Sequence, residues 1–372
     1  MSRNKTQGPP ASALAPFAYD ALPGRVVFAP GSRSQIVEEL DRLGVSRVLV
    51  VASPHDEELV DGLCRAIGTR LAGRFDASVA HVPIAVAEQA RAMARSLEAD
   101  CVLAVGGGSA TGTAKAIALE LPLPIVAIPT TYAGSEMTPI WGLTEANRKT
   151  TGRSLQVLPT AVIYDPELTL AMPLWLGGPS AINAIAHCVE ALYAPGANPV
   201  CSVLAGEGIG ALAQGIRAVV AQPSEIGGRS LTLYGAYLAG VCLAGAGAGL
   251  HHRICHVLGG AFDLPHAEMH TIVLPHVVAF LEPAAKPQLQ RAADALALAD
   301  TNAIAGAIFD LAQDVGAPTA LREIGLDDGD LDHAVELIID SNPPAQPRPI
   351  DRDQLTLLLG DALVGARPRS GS

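Results

Sequence analysis

Between residues 25 and 165, short apolar runs alternate with stretches of helical spacing. Residues 47–52 (RVLVVA), 101–105 (CVLAV) and 124–128 (PIVAI) are continuous apolar runs of the kind a parallel strand buried on both faces shows. Residues 25–29 and 78–82 read as further strands, and residues 34–43, 56–71, 85–97 and 113–121 as helices. The alternation predicts an α/β domain, a Rossmann-like parallel sheet with helices on both faces. Beyond Asp165 the pattern turns long, Ala- and Leu-rich and helical, broken by turn signals at Gly177-Gly178-Pro179, Gly227-Gly228 and Gly316-Ala317-Pro318. The expected organisation is a disordered leader over 1–16, a dinucleotide-binding α/β domain over 17–165 and an all-α substrate and catalytic domain over 166–372. No internal repeat is visible.

Composition narrows the class. The chain has 372 residues, 49% of them hydrophobic and only 4% aromatic, so its cores are built mainly from Ala, Val, Leu and Ile. A net charge of -12 argues against a nucleic-acid or anionic-membrane partner. The six cysteines contain no C-x-x-C pair and lie mostly in apolar runs, which reads as reduced thiols in a cytoplasmic protein. No signal peptide is visible, and no uninterrupted, strongly apolar span of membrane length.

Two stretches carry chemistry. The first is Gly106-Gly107-Gly108-Ser109, between a buried strand and a helix. Glycines allow close backbone approach, and a helix N-terminus offers unpaired N–H groups to a phosphate. The next strand ends in Pro129-Thr130-Thr131, which places hydroxyls beside that loop at the carboxyl edge of the sheet. Ser53 follows the second strand where a dinucleotide site often carries an acid; without a carboxylate there, NADH and NADPH both remain open.

The second stretch is residues 250–276, which holds His251, His252, His256, His266, His270 and His276, six of the chain's ten histidines. His252 and His256 share one helical face, Gly259-Gly260 then break the pattern, and His266 comes from another segment. Upstream, Ser180 is placed to cap a helix on which Asn183 and His187 share a face, with Glu190 one turn further on. Converging imidazoles suit a metal site or proton transfer near neutral pH. Cys255, inside the cluster, reads as packing.

In order, the GGGS loop, the stretch PTTYAGSEMTPIWGLTE, the run INAIAH, then HHRICHVLGG and LPHAEMHTIVLPH resemble the iron-containing (group III) alcohol dehydrogenases, in the maleylacetate reductase branch. YDPELTL and the late Pro347-Arg348-Pro349 read the same way, and the match spans roughly residues 17–368. The resemblance implies a dehydroquinate synthase-like fold, a homodimer, a cleft between the two domains and an NADH- or NADPH-dependent oxidoreductase. It implies reduction of the C=C bond of maleylacetate, a dicarboxylate enone, to 3-oxoadipate in aromatic-compound catabolism.

The family's metal ligands correspond to Asn183, His187, His256 and His266. Asn183 replaces the usual aspartate and removes the anionic ligand, so a metal-free site is expected. In that reading His187, His256 and His266 stabilise the developing enolate while protonated, and His252 is the candidate proton donor. Arg253, with Lys149 or Arg153, is expected to hold a substrate carboxylate, with Arg348 as a further candidate. Gly106, Gly107, Gly108, Ser109, Thr130, Thr131 and Ser53 are the expected cofactor contacts. Two departures from the branch, Thr160 where a basic residue is expected and Pro343 to Gln346 where aromatics are expected, point to retuned substrate specificity. Competing readings are a metal-dependent alcohol dehydrogenase, a lyase on the related synthase architecture, and an inactive nucleotide-binding protein.

Overall fold

The computed structural model describes residues 16–54, 56–145 and 148–368; the expected leader therefore lies almost wholly outside the described residues. Its N-terminal half is built on six strands: β1 (Arg25–Phe28), β2 (Val48–Ala52), β3 (Leu71–Phe75), β4 (Cys101–Gly106), β5 (Ile125–Pro129) and β8 (Ala161–Tyr164). They form one parallel sheet in the order β1-β8-β5-β4-β2-β3. β6 (Ile140–Glu145) and β7 (Arg148–Arg153) make a separate antiparallel hairpin, which the sequence pattern does not announce.

Every residue of β2, β4 and β5 is buried, as their unbroken apolar runs require of strands covered on both faces. Val48, Val50, Cys101, Leu103, Val126 and Ile128 point to the face covered by α1 (Ile36–Leu43) and α2 (Glu57–Ile67). Leu49, Val51, Val102, Ala104, Ile125 and Ala127 point to the opposite face, covered by α3 (Ile84–Ser96) and α4 (Gly108–Glu120), in a core continuous with the helical half.

The predicted strand at 78–82 is absent, and the edge position beside β2 goes instead to β3, which starts at the last residue of the expected helix and runs through residues given no element. β3 has one exposed flank and lacks a continuous apolar run, whereas His81 and Val82 adopt φ values of 60° and 45° and turn the chain into α3.

The C-terminal half is helical: α5 (Leu174–Ala191), α6 (Pro199–Ala221), α7 (Ile226–Ala246), α8 (Leu250–Phe262), α9 (His266–Ala295), α10 (Ile304–Asp314), α11 (Leu331–Asp340) and α12 (Arg352–Val364). Three sets of expected glycine breaks are helical instead, Gly227 and Gly228 lying in the first turn of α7. Gly177 and Gly178 lie inside α5, where a Cβ on Gly178 would sit 2.7 Å from Val315 Cγ2, so the glycine serves close packing rather than a turn. Gly259 and Gly260 likewise lie inside α8. Among the described residues α6 is the one helix long and apolar enough on its own to cross a membrane, and 61% of that window is buried inside the fold.

Candidate active site

The carboxyl edge of the sheet builds the first half of the site. Chain order runs β2 to β3 on one side and returns to β4 on the other, so β2 and β4 flank a topological switch point, where open α/β sheets take ligands. At the end of β4, Gly106 has φ 133°, a conformation open to glycine alone at no steric cost. α4 starts at Gly108 with no side-chain cap, leaving its first N–H groups for a ligand. Thr131 packs on the loop, since a Cβ on Gly107 would lie 3.0 Å from its Cγ2, and the Thr130 N–H donates to Gly106 O at 3.2 Å.

The residue directly after β2, Ser53, carries no carboxylate, but one stands against it. Asp56, three residues past Ser53, accepts the Ser53 hydroxyl at 2.8 Å, and its Oδ2 lies 3.1 Å from where a Gly106 side chain would begin. Asp56 stands four residues beyond the strand end at Ala52, and a scan of the strand end alone passes it by.

The second half comes from α5, α8 and α9. Ser180 does not cap α5, which starts six residues earlier; its hydroxyl instead accepts the Tyr132 N–H at 3.2 Å and ties the Thr130-Thr131 loop to that helix. One turn and two turns on come Asn183 and His187, and then Glu190, which is fully buried. α8 begins after Gly249 and so has no side-chain cap of its own. The Glu190 carboxylate supplies one, accepting the N–H groups of Gly249 at 2.9 Å, His251 at 2.7 Å and His252 at 3.4 Å, and it also bonds His252 Nδ1 directly. Glu190 was visible in the sequence only as a neighbour of His187.

With Nδ1 held, the His252 ring stacks on His187, centroids 4.8 Å apart and planes 29° apart. The ring facing His187 is therefore His252, and His256 lies further out, 5.9 Å from His252. This revises the expected grouping of His187 with His256. Behind them His251 Nε2 meets His270 Nδ1 at 2.9 Å, and His266 packs on His270 with centroids 4.3 Å apart. Burial, reinforced by the neighbouring imidazoles, drives His187, His251 and His270 well below the usual histidine range. His187 is consequently neutral near pH 7, contrary to its expected protonated role. Burial pushes the Cys255 thiol well up, in keeping with packing.

His256 and His266 are exposed and line a cleft of about 230 Å³ together with Cys255, Gly259, Gly260, Ala261 and Asp263 on the helical side, and His81 and Thr144 on the sheet side. The expected carboxylate-binding arginines are differently employed. Arg153 donates to Ala244 O at 2.8 Å, and Arg348 lies 4.4 Å over the Phe280 ring while donating to Phe280 O. Arg253 is exposed on α8, and the Lys149 side chain lies outside the described residues. Thr160 precedes β8 at the amino edge of the sheet, its N–H donating to Ile125 O at 2.8 Å, so this departure sits at the edge opposite the nucleotide loop. Pro343 to Gln346 follow α11 and do not line the cleft.

Residues 23–166 match the iron-containing alcohol dehydrogenase family, and residues 179–363 match its C-terminal region. This chain belongs to that family. A maleylacetate reductase from Pseudomonas sp. (strain P51) is 46% identical over 95% of the chain and 99% of its own length. The crystal structure of a maleylacetate reductase from Agrobacterium tumefaciens superposes with a TM-score of 0.91 at 44% identity, covering 95% of this chain and all of its own. An iron-containing alcohol dehydrogenase from Corynebacterium glutamicum ATCC 13032 gives a TM-score of 0.91 at 46% identity over 96% and 99% of the two chains. Family and fold together make the protein an oxidoreductase.

The family's name implies iron, and the residues expected to hold it here include no carboxylate. Asn183, His187, His256 and His266 offer one amide and three imidazoles, and the nearby carboxylate, Glu190, is committed to His252 and to the start of α8. Asn183 Oδ1, His187 Nδ1 and His252 Nε2 are all buried with no hydrogen-bond partner, and the His252 ring is the one stacked on His187. Among the described residues the one group bringing three ligand atoms within 4.8 Å is His251, Cys255 and His270, where the two rings are already bonded to each other.

Proposed function

We propose that this protein reduces the C=C bond of maleylacetate to 3-oxoadipate with NADH, in a site that operates without metal. Relatives bearing that activity in their names match 95% of the chain, and the observation that carries the chemistry is the pair of imidazoles, His256 and His266, lining a cleft in front of a site that has Asn183 in place of a carboxylate. The nicotinamide, when bound, supplies a hydride to the alkene carbon β to the ketone. His256 and His266 line the cleft and offer N–H groups to the ketone oxygen as it takes on enolate character. A proton from this cleft face then completes the saturated chain. His252 is only 4% exposed, which moves it from proton donor to positioning: tethered by Glu190, it fixes His187 and backs His256. Asp56 beside Gly106 supports NADH over NADPH, because a carboxylate accepts ribose hydroxyls and repels a 2′-phosphate.

The resemblance further supports a homodimer acting in the cytoplasm on products of aromatic-ring cleavage, with the chain divided near Asp165 into nucleotide-binding and catalytic domains. The test is oxidation of NADH and NADPH with freshly generated maleylacetate, with and without a strong chelator. The proposal expects NADH consumption matched by 3-oxoadipate and unchanged by chelation. Chelator-sensitive turnover would return the site to metal chemistry, and no turnover would overturn the substrate.

A further inference from the structure

We propose that His81, on the α/β side of the cleft, is a substrate-binding residue whose imidazole N–H holds a carboxylate of the substrate opposite His256 and His266. The inference rests on the reading above for the identity of the substrate, and on three independent structural observations for the site.

His81 is exposed and lines the same cleft as His256 and His266, facing them from the other half of the chain. Its backbone is held in a costly conformation: His81 has φ 60° and the β-branched Val82 has φ 45°, two consecutive non-glycine residues in the left-handed region. Such strain persists only where the surroundings over-determine it. Here they do. The Thr144 hydroxyl donates to His81 O at 2.7 Å, the Thr144 N–H donates to Val82 O at 3.1 Å, and Pro83 bridges to Thr144 of the hairpin. Val82 is buried against α4, where a Cβ on Gly112 would lie 2.7 Å from its Cγ2.

α4 is the helix whose N-terminus carries the glycine loop, so Val82 fixes the His81 ring relative to the expected nucleotide site. A turn that only had to start α3 would be served at lower cost by Gly or Asn at position 81. An exposed imidazole held there against that cost points to use of the side chain. The arginines expected to take the carboxylate are engaged elsewhere, or, for Arg253, do not line the cleft. Asp263 is the one acidic residue on the cleft wall, so a dianion is oriented by where the imidazoles stand.

The experiment compares wild type with His81→Asn, which tolerates the left-handed backbone, and with His81→Leu. It measures KM and kcat for maleylacetate, NADH affinity by fluorescence, and binding of adipate to the NAD-saturated enzyme as an unreactive dicarboxylate probe. KM for maleylacetate and the adipate Kd should both rise about tenfold in His81→Leu, with kcat changed only slightly and NADH affinity unchanged. Thr144→Val, which frees the His81 carbonyl, should raise KM a few-fold and add little on top of His81→Leu. An unchanged KM and adipate Kd in both His81 variants would overturn the inference, as would a parallel loss of NADH affinity. If His81→Leu fails to fold, the Asn variant decides alone. If wild type ignores maleylacetate, the substrate reading fails, and adipate binding still decides on His81.

Discussion

Glu190 and His252 are joined by a carboxylate–imidazole bond in the interior, and the same carboxylate caps the start of α8. One group therefore sets both the orientation of the ring that stacks on His187 and the direction of the helix that carries His256. Glu190→Gln keeps the shape and removes the charge. It should lower kcat by about 10–100-fold, the usual cost of losing a carboxylate that orients a functional histidine, with KM for maleylacetate nearly constant. Steady-state kinetics beside a thermal melt check this; a lower melting temperature with unchanged kcat would assign Glu190 to helix capping alone.

Asn183→Asp restores a carboxylate beside His187, one turn away on α5. The variant should gain stoichiometric zinc or iron when purified with added metal, while wild type stays well below one ion per chain, as measured by elemental analysis. Equal metal content in both would mean the amide is not what sets metal affinity.

Asp56→Ser removes the carboxylate that faces Gly106 and accepts the Ser53 hydroxyl. The ratio of kcat/KM for NADH to that for NADPH should fall by about tenfold or more, in line with loss of a charge–charge and hydrogen-bond discrimination. A ratio that does not move places the ribose elsewhere.

His276 on α9 is buried, and burial lowers its pKa from 6.5 to about 4. The folded state therefore takes up this proton less readily than the unfolded chain. The stability His276 contributes is complete above pH 6.5 and is lost as the pH falls through about 4. The full effect is about 3 kcal/mol, at roughly 1.4 kcal/mol per pKa unit. Denaturant titrations of His276→Leu should show a correspondingly shallower loss of stability between these pH values. Parallel curves for both proteins would contradict it.

The sequence makes the interior of this protein plain and its margins obscure. β2, β4 and β5 are readable because strands covered on both faces need unbroken apolar runs. β3 is not, because an edge strand that includes Gly73 and Arg74 carries no such run. The glycines in α5 and α8 mislead because their cause is tertiary: Gly178 yields to Val315, and nothing local to the sequence records that approach. The histidine cluster is legible from its density, yet the ring that meets His187 follows from Glu190 reaching across from α5, a contact fifty-nine or more residues away in the chain. Asp56 and His81 escape notice for a related reason. Each acts from a turn, where spacing rules lose their grip.

Lys115 is only 1% exposed and gives its ammonium to Ser135 O, Thr138 O and Ile140 O at 2.7–2.8 Å, pinning α4 to the base of the hairpin. The chain holds only four lysines, Lys5, Lys115, Lys149 and Lys286. Of the two whose side chains are described, Lys286 alone is open to reagents, its side chain 58% exposed. It lies twenty residues beyond His266 on α9, about 30 Å along the helix. Amine-directed coupling to a resin or a dye thus has a described anchor on the part of α9 remote from the cleft.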